Sequence, residues 1–249
     1  MNRSPIFVGI AGGTASGKTT VTDEVFAMLK ASSGCCMIPF DAFYKECTPE
    51  QLADLKNVNF DHPNIFDFTL VRDTLLKLKQ GLDVEIPDYD YKTCLRKAEA
   101  IKVKWAPLII LEGIFALWDK EINEILDFKV FVHTDDDVRL ARRIKRDIVE
   151  RGRSIEGVLK AYHRFVKPAH IEFVKPTMRY ADLIVPRGRP QESRYNKIAI
   201  EFIVQSLEQE MVRRGFLLGA LPREVEAMSE SVHFKMLNFI LAPEVDPCI

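Results

Sequence analysis

IFVGIAGGTASGKTT, residues 6–20, is the stretch from which the rest of the chain can be read. Its first part, Ile6-Phe7-Val8-Gly9-Ile10, is an apolar run and reads as a buried strand. It leads into Gly12-Gly13-Thr14-Ala15-Ser16-Gly17-Lys18-Thr19, which satisfies the phosphate-loop pattern G-x-x-x-x-G-K-[S/T] at every fixed position. Glycines let a backbone wrap a polyphosphate with several N–H groups pointing inward, and the following helix adds the positive end of its dipole. Lys18 can reach the outer phosphates and the Thr19 hydroxyl can ligate Mg²⁺, so Gly12 through Thr20 form the candidate ATP-binding segment. A glycine- and serine-rich turn could match by chance, but a strand before and a helix after oppose that. The segment reads as a nucleoside triphosphate site.

Working outward, Val21, Val25, Met28 and Leu29 recur at helical spacing, so residues 18–31 are expected to form a helix with its apolar face on a sheet. Cys35 to Phe40 read as a second strand, with Asp41 at its carboxyl end. Ligands of open parallel sheets bind beyond the carboxyl ends of strands. A carboxylate there can take a proton from a hydroxyl nucleophile or hold a metal-bound water. Aspartate is also a common helix N-cap, and position alone does not choose between these roles. Residues 48–67 are expected to be an irregular ordered loop, since Pro63 pushes His62 out of helical geometry. Phe68, Val71, Leu75 and Leu78 mark a helix ended by Gln80-Gly81. Two alternating stretches within about 83–105 predict an inserted β-hairpin whose tyrosines suit a substrate-binding wall.

Pro107-Leu108-Ile109-Ile110-Leu111 is the most apolar run and reads as a central strand closed by Glu112-Gly113. A buried carboxylate without a partner is costly, so Glu112 is the expected second Mg²⁺-orienting group. Residues 128–132 and 181–186 supply two more strands, and Thr134-Asp135-Asp136-Asp137 reads as a helix cap and dipole partner. Arg139, Arg142, Arg143, Lys145, Arg146, Arg151 and Arg153 then crowd one span broken by Gly152. A lid over about 139–160 that closes arginines on a transferred phosphoryl group fits better than a solvated face or a nucleic-acid patch. His163 and His170 lack partners at metal-ligand spacing and read as surface or core histidines. Ile200, Ile203, Val204, Leu207 and Met211 make the last strong helix, and the tail, about 215–249, is a candidate docking helix without a chemical motif.

Composition bounds the alternatives. The 249 residues, 47% hydrophobic and 29% charged, suit one large α/β domain with a small insertion. A net charge of −1 gives no global field for nucleic acid or acidic membranes, and no apolar stretch is long enough to span a bilayer. The five cysteines lack C-x-x-C spacing, which points to reduced thiols in a cytoplasmic protein, and no signal peptide is expected.

With these motifs in order, the sequence resembles the uridine-cytidine kinases over roughly residues 6–188. The resemblance rests on the phosphate loop, D-A-F-Y at 41–44, N-F-D-H-P at 59–63, I-P-x-Y-D-Y at 86–91, L-E-G-I at 111–114, R-R-I-K-R-D-I-x-E-R-G-R at 142–153, F-V-K-P at 165–168 and V-P-R-G at 185–188. It implies transfer of the ATP γ-phosphate to the 5′-hydroxyl of uridine or cytidine. By the same resemblance Asp41 is the base and a metal-site neighbour, and Thr19 with Glu112 organises Mg²⁺. Asp61 and Arg143 match ribose positions, and Arg146 and Arg151 match phosphate contacts. Arg153 and Tyr89 match base contacts, and Phe60, Tyr91 and Cys94 fall on the substrate-binding segments. Two departures bear on base choice: Cys94 stands where the family usually has a histidine, and Ala161 where it usually has a glutamine. The stretch Arg189 to Tyr195 is longer than usual. The resemblance also implies a homotetramer inhibited by end-product triphosphates.

The expected architecture is a phosphate-loop kinase fold: a five-stranded parallel sheet flanked by helices, with a hairpin wall and an arginine lid. A kinase of the same fold for another small alcohol (phosphoribulose or pantothenate chemistry), a nucleotide-binding regulator without catalysis, and an RNA-binding arginine helix are the rival readings.

Overall fold

The computed structural model describes residues 4–90, 93–186 and 197–216. Tyr91, the 189–195 stretch, Cys248 and the tail beyond Phe216 lie outside the described residues. The first half of the chain forms β1 (Ile6–Gly12), α1 (Lys18–Ser33), β2 (Cys35–Pro39), α2 (Pro49–Ala53) and α3 (Phe68–Lys79). An insertion follows, with β3 (Val84–Ile86), β4 (Tyr89–Asp90), β5 (Leu95–Arg96) and β6 (Ile101–Val103). The chain then returns through β7 (Leu108–Glu112), α4 (Lys120–Ile125), β8 (Phe128–Val132) and α5 (Asp136–Val149). It ends with α6 (Ile155–Ala161), α7 (Lys167–Ala169), β9 (Leu183–Val185) and α8 (Lys197–Arg213).

One five-stranded sheet runs in the order β2-β7-β1-β8-β9, every neighbouring pair parallel. The expected five-stranded sheet is therefore present, with β1 at its centre and β7 beside it. All seven residues of β1 are buried, because helices cover both faces of a parallel sheet and leave no polar side. Alternate residues feed two cores. Ile6, Val8 and Ile10 pack with Val21, Val25 and Leu29 of α1 and with Ile203 and Leu207 of α8. Phe7 and Ala11 face Leu75 and Leu78 of α3 and the inserted Ile86 and Val103.

The insertion is a nested pair of ladders, β3 with β6 and β4 with β5, both antiparallel. The loop expected over 48–67 is more regular than its sequence suggested. Thr48 and Gln51 form a reciprocal capping box that supports the single turn and a half of α2, and short 3₁₀ turns cover Leu55–Asn57 and Pro63–Ile65.

The largest departure concerns the arginine span. The residues of α5 that turn inward are Arg139, Arg143 and Asp147, at i, i+4 and i+8, so its buried stripe is charged. Arg139 is 2% exposed and belongs to the packed body, not to a lid. Beyond α5 the chain stays helical from Ile155 to Tyr180, with wider turns over Tyr162–Val166 and His170–Val174.

Candidate functional site

The carboxyl ends of β1, β2, β7 and β8 converge, and each carries one element of the site. From β1 the chain enters the loop Gly12–Gly17, whose apex turns on Ala15 at φ 57° and Gly17 at φ 94°. Ser16 N–H donates to the Gly13 carbonyl at 3.0 Å, and α1 starts at Lys18. The loop is braced from beneath: Thr134, just past β8, donates to the Ser16 carbonyl at 2.8 Å. Arg139 reaches the Thr134 and Thr14 carbonyls at 3.2 and 3.4 Å, and Arg143 Nη1 donates to Thr14 Oγ1 at 3.0 Å. Thr20 is exposed on α1.

Glu112 closes β7 beside this loop and is 6% exposed. Lys18 Nζ lies 3.3 Å from its Oε1, and the Thr19 hydroxyl donates to the same oxygen at 3.3 Å. Burial pushes the Glu112 carboxyl up, while Lys18 pulls it back. Gly113 is needed for close approach, since a Cβ there would sit 2.3 Å from the Phe40 Cβ. That neighbour is a side chain of the turn Phe40–Phe43, which carries Asp41. Asp41 is half-buried and close enough to raise both the Glu112 and the Asp61 carboxyls.

On the insertion side, Arg143 Nη1 lies 3.7 Å from Asp61 Oδ1. Burial raises Asp61 and Arg143 opposes it. Tyr44 stacks on Tyr89 at 4.9 Å between ring centres, meets Phe60 edge-on at 6.4 Å and donates its hydroxyl to the Phe60 carbonyl at 3.2 Å. Cys94, buried and at φ 58°, accepts a backbone hydrogen bond from Cys47 N–H at 3.3 Å, and both thiols adjoin Tyr89. The remaining sequence candidates, Arg146, Arg151 and Arg153, gather on one acid, Asp147.

The structure thus brings the loop, Asp41, Glu112, Asp61 and Arg143 to one end of the sheet, with an aromatic wall alongside. Sequence reasoning put Arg139 in a lid and missed Asp147. It also missed Asp23, whose carboxyl is pushed up to about 6 by burial and then by Glu112. Of the two readings given to His170, surface or core, the structure shows the core one: the ring is buried and packs under the loop, its Cε1 2.9 Å from where a Gly13 Cβ would be. A separate cavity of about 590 Å³ lies at the opposite end of the sheet, between α8 and the starts of β1 and β8. No helix of the described residues is long and apolar enough to cross a membrane.

A parallel sheet with a glycine-rich loop after its middle strand, a lysine and threonine opening the next helix, and an acid on the adjacent strand end defines a phosphate-loop protein. The chain belongs to the phosphoribulokinase / uridine kinase family, which it matches over residues 7–193. It is 47% identical over 215 residues to uridine-cytidine kinase-like 1 of Mus musculus, covering 86% of this chain and 38% of the mouse protein. It is 43% identical over 205 residues to a uridine kinase of Clostridium novyi (strain NT), covering 82% of this chain and 96% of that protein. The chain thus spans well under half the length of the mouse relative and nearly all of the bacterial one. Phosphoribulokinase from Rhodobacter spheroides shares the fold, with a TM-score of 0.56 at 15% identity, covering 78% of this chain and 76% of the other.

Proposed function

We propose that this chain transfers the γ-phosphoryl group of ATP to the 5′-hydroxyl of uridine or cytidine. The observation that carries the reading is the convergence of two sets of groups: Lys18 and Glu112 at the phosphate loop, and Asp41, Asp61 and Arg143 beside them. Relatives named as uridine or uridine-cytidine kinases support it.

In this reading the loop amides and Lys18 hold the phosphates. Thr19 and Glu112 would hold Mg²⁺, and they fit it: a hydroxyl and a buried carboxylate are hard oxygen donors, and Mg²⁺ takes one or two carboxylates plus phosphates and water. Bound there, Mg²⁺ would supply positive charge against the polyphosphate. Asp41 takes the proton of the 5′-hydroxyl as it attacks in line. Asp61 and Arg143 hold the ribose hydroxyls. A deoxynucleoside would leave the partly buried Asp61 short of a partner, so ribonucleosides are favoured. Phe60, Tyr89 and Cys94 wall the base, and Arg151 and Arg153 stabilise the phosphoryl group in flight, with Arg146 anchoring the cluster on Asp147.

Incubation with Mg²⁺, ATP and uridine, followed by phosphorus NMR, tests the chemistry. Appearance of the nucleoside 5′-monophosphate is expected. Phosphate on another hydroxyl, or only inorganic phosphate, would reject the proposal.

A further inference from the structure

Asp147 has no solvent exposure, and four guanidinium groups surround its carboxylate. Arg146 holds Oδ1 closely, through Nη2 at 2.9 Å and Nε at 3.0 Å. Arg143, Arg151 and Arg153 stand off at 3.4, 3.5 and 3.5 Å, longer than charge-assisted hydrogen bonds. Gly152 makes the arrangement possible. At φ 62° it folds the chain back so that Arg153 N–H donates to the Asp147 carbonyl at 3.0 Å and the arginines on either side of the turn face the same acid.

One negative charge cannot neutralise four positive ones. Asp61 offsets part of Arg143, which is also tied to Thr14 of the phosphate loop. Arg151 and Arg153 have only long contacts to Asp147, and their side chains are 36% and 49% exposed. They are the members of the cluster free to exchange partners.

We propose that Asp147 is a positioning residue: the resting counter-ion of the arginine cluster, which gives up Arg151 and Arg153 to the phosphoryl group when nucleotide fills the loop. This rests on the phosphoryl-transfer reading above. A phosphoryl group carries more charge than one carboxylate and presents several oxygens, so it wins the two loosely held arginines. Arg146 and Arg143 stay on Asp147, which keeps the cluster in place during exchange. Without the acid, mutual repulsion would swing Arg151 and Arg153 into solvent and lose the geometry the reaction needs.

The two roles open to a buried acid differ in sign. If Asp147 only supports the fold, its loss weakens anion binding. If it competes with phosphate for arginines, its loss strengthens it. The test is Asp147→Asn in the full chain, titrated calorimetrically with inorganic tripolyphosphate and assayed with Mg²⁺, ATP and uridine. Tripolyphosphate should bind about fivefold more tightly, since one competing charge is gone. The kcat should fall about thirtyfold with no rise in KM for ATP, the mark of geometry lost on the way to the transition state. Asp147→Asn/Arg153→Gln restores the charge balance and guards against simple unfolding, and its kcat loss should be smaller than the product of the two single losses. Tripolyphosphate binding that is unchanged or weaker, or kcat losses that multiply, would overturn the proposal. A wild type that binds tripolyphosphate but phosphorylates no nucleoside would reject the nucleoside reading, and the tripolyphosphate comparison would still decide the role of Asp147.

Discussion

Lys18 Nζ sits 3.3 Å from Glu112 Oε1, so the cation of the phosphate loop rests on the acid that closes the neighbouring strand. Lys18 offsets the cost of burying the Glu112 charge, and nucleotide with Mg²⁺ would separate the two to act on phosphate and metal. Glu112→Gln keeps the shape and removes the charge. It should retain binding of metal-free ATP and lose about a hundredfold in Mg²⁺-dependent turnover. Turnover and ATP titration with and without Mg²⁺ check this, and full activity in the variant would remove Glu112 from the metal site.

Asp41→Asn should likewise keep ATP affinity, because the side chain lies on the turn Phe40–Phe43 and outside the loop. Its turnover should fall by about 10²–10⁴, the range for loss of a general base. Near-normal turnover would remove Asp41 from the base role, and capping is no alternative, since Pro39 is the N-cap of that turn and no side chain caps it.

Two glycines near the arginines should respond differently to alanine. At Gly13 a Cβ would lie 2.6 Å from Arg139 Nη1 and 2.9 Å from His170 Cε1, and Arg139 is pinned by Thr134, Thr14 and Asp136. Gly13→Ala should cost about 1–3 kcal/mol and weaken ATP binding by displacing the brace. At Gly152 nothing lies within 4 Å, so Gly152→Ala meets only the strain of φ 62°, about 1 kcal/mol. Chemical denaturation of both variants gives the comparison.

His170 is pushed down from 6.5 to about 4, chiefly by burial and then by Arg139, with Asp136 acting in the other direction. Between those values the folded chain binds fewer protons than the unfolded one. Its contribution to stability is therefore present above 6.5 and is lost as pH falls toward 4. NMR titration should show one of the five histidines changing charge near 4, and His170→Gln should flatten the unfolding midpoint across that window. A resonance of His170 titrating near 6.5 would show that the ring is solvated.

The phosphate loop, Asp41 and Glu112 were legible in the sequence because their signals are local: an apolar strand, then a polar residue where the strand must end. Five strands could be read for the same reason. Asp147 and the buried placement of Arg139 were not legible, because periodicity identifies a buried helix face by its apolar residues and α5 buries Arg139, Arg143 and Asp147 instead. A charged stripe at i, i+4 and i+8 looks like a solvated face until the loop and the other arginines are set against it. The capping box of Thr48 and Gln51 was readable in principle, but five residues are too few for helical periodicity to register. Asp23 gave no signal, since its neighbour Glu112 is distant in sequence.

The most direct measurement is ATP consumption by the wild-type chain with Mg²⁺ against uridine, cytidine, deoxycytidine, adenosine and no nucleoside. Stimulation by uridine or cytidine, weaker with deoxycytidine and absent with adenosine, is the expected result, and the uridine-to-cytidine ratio would report on Cys94. No stimulation by any nucleoside, with ATP binding intact, would contradict the proposed function and turn attention to other small alcohols or to a nucleotide-binding regulator.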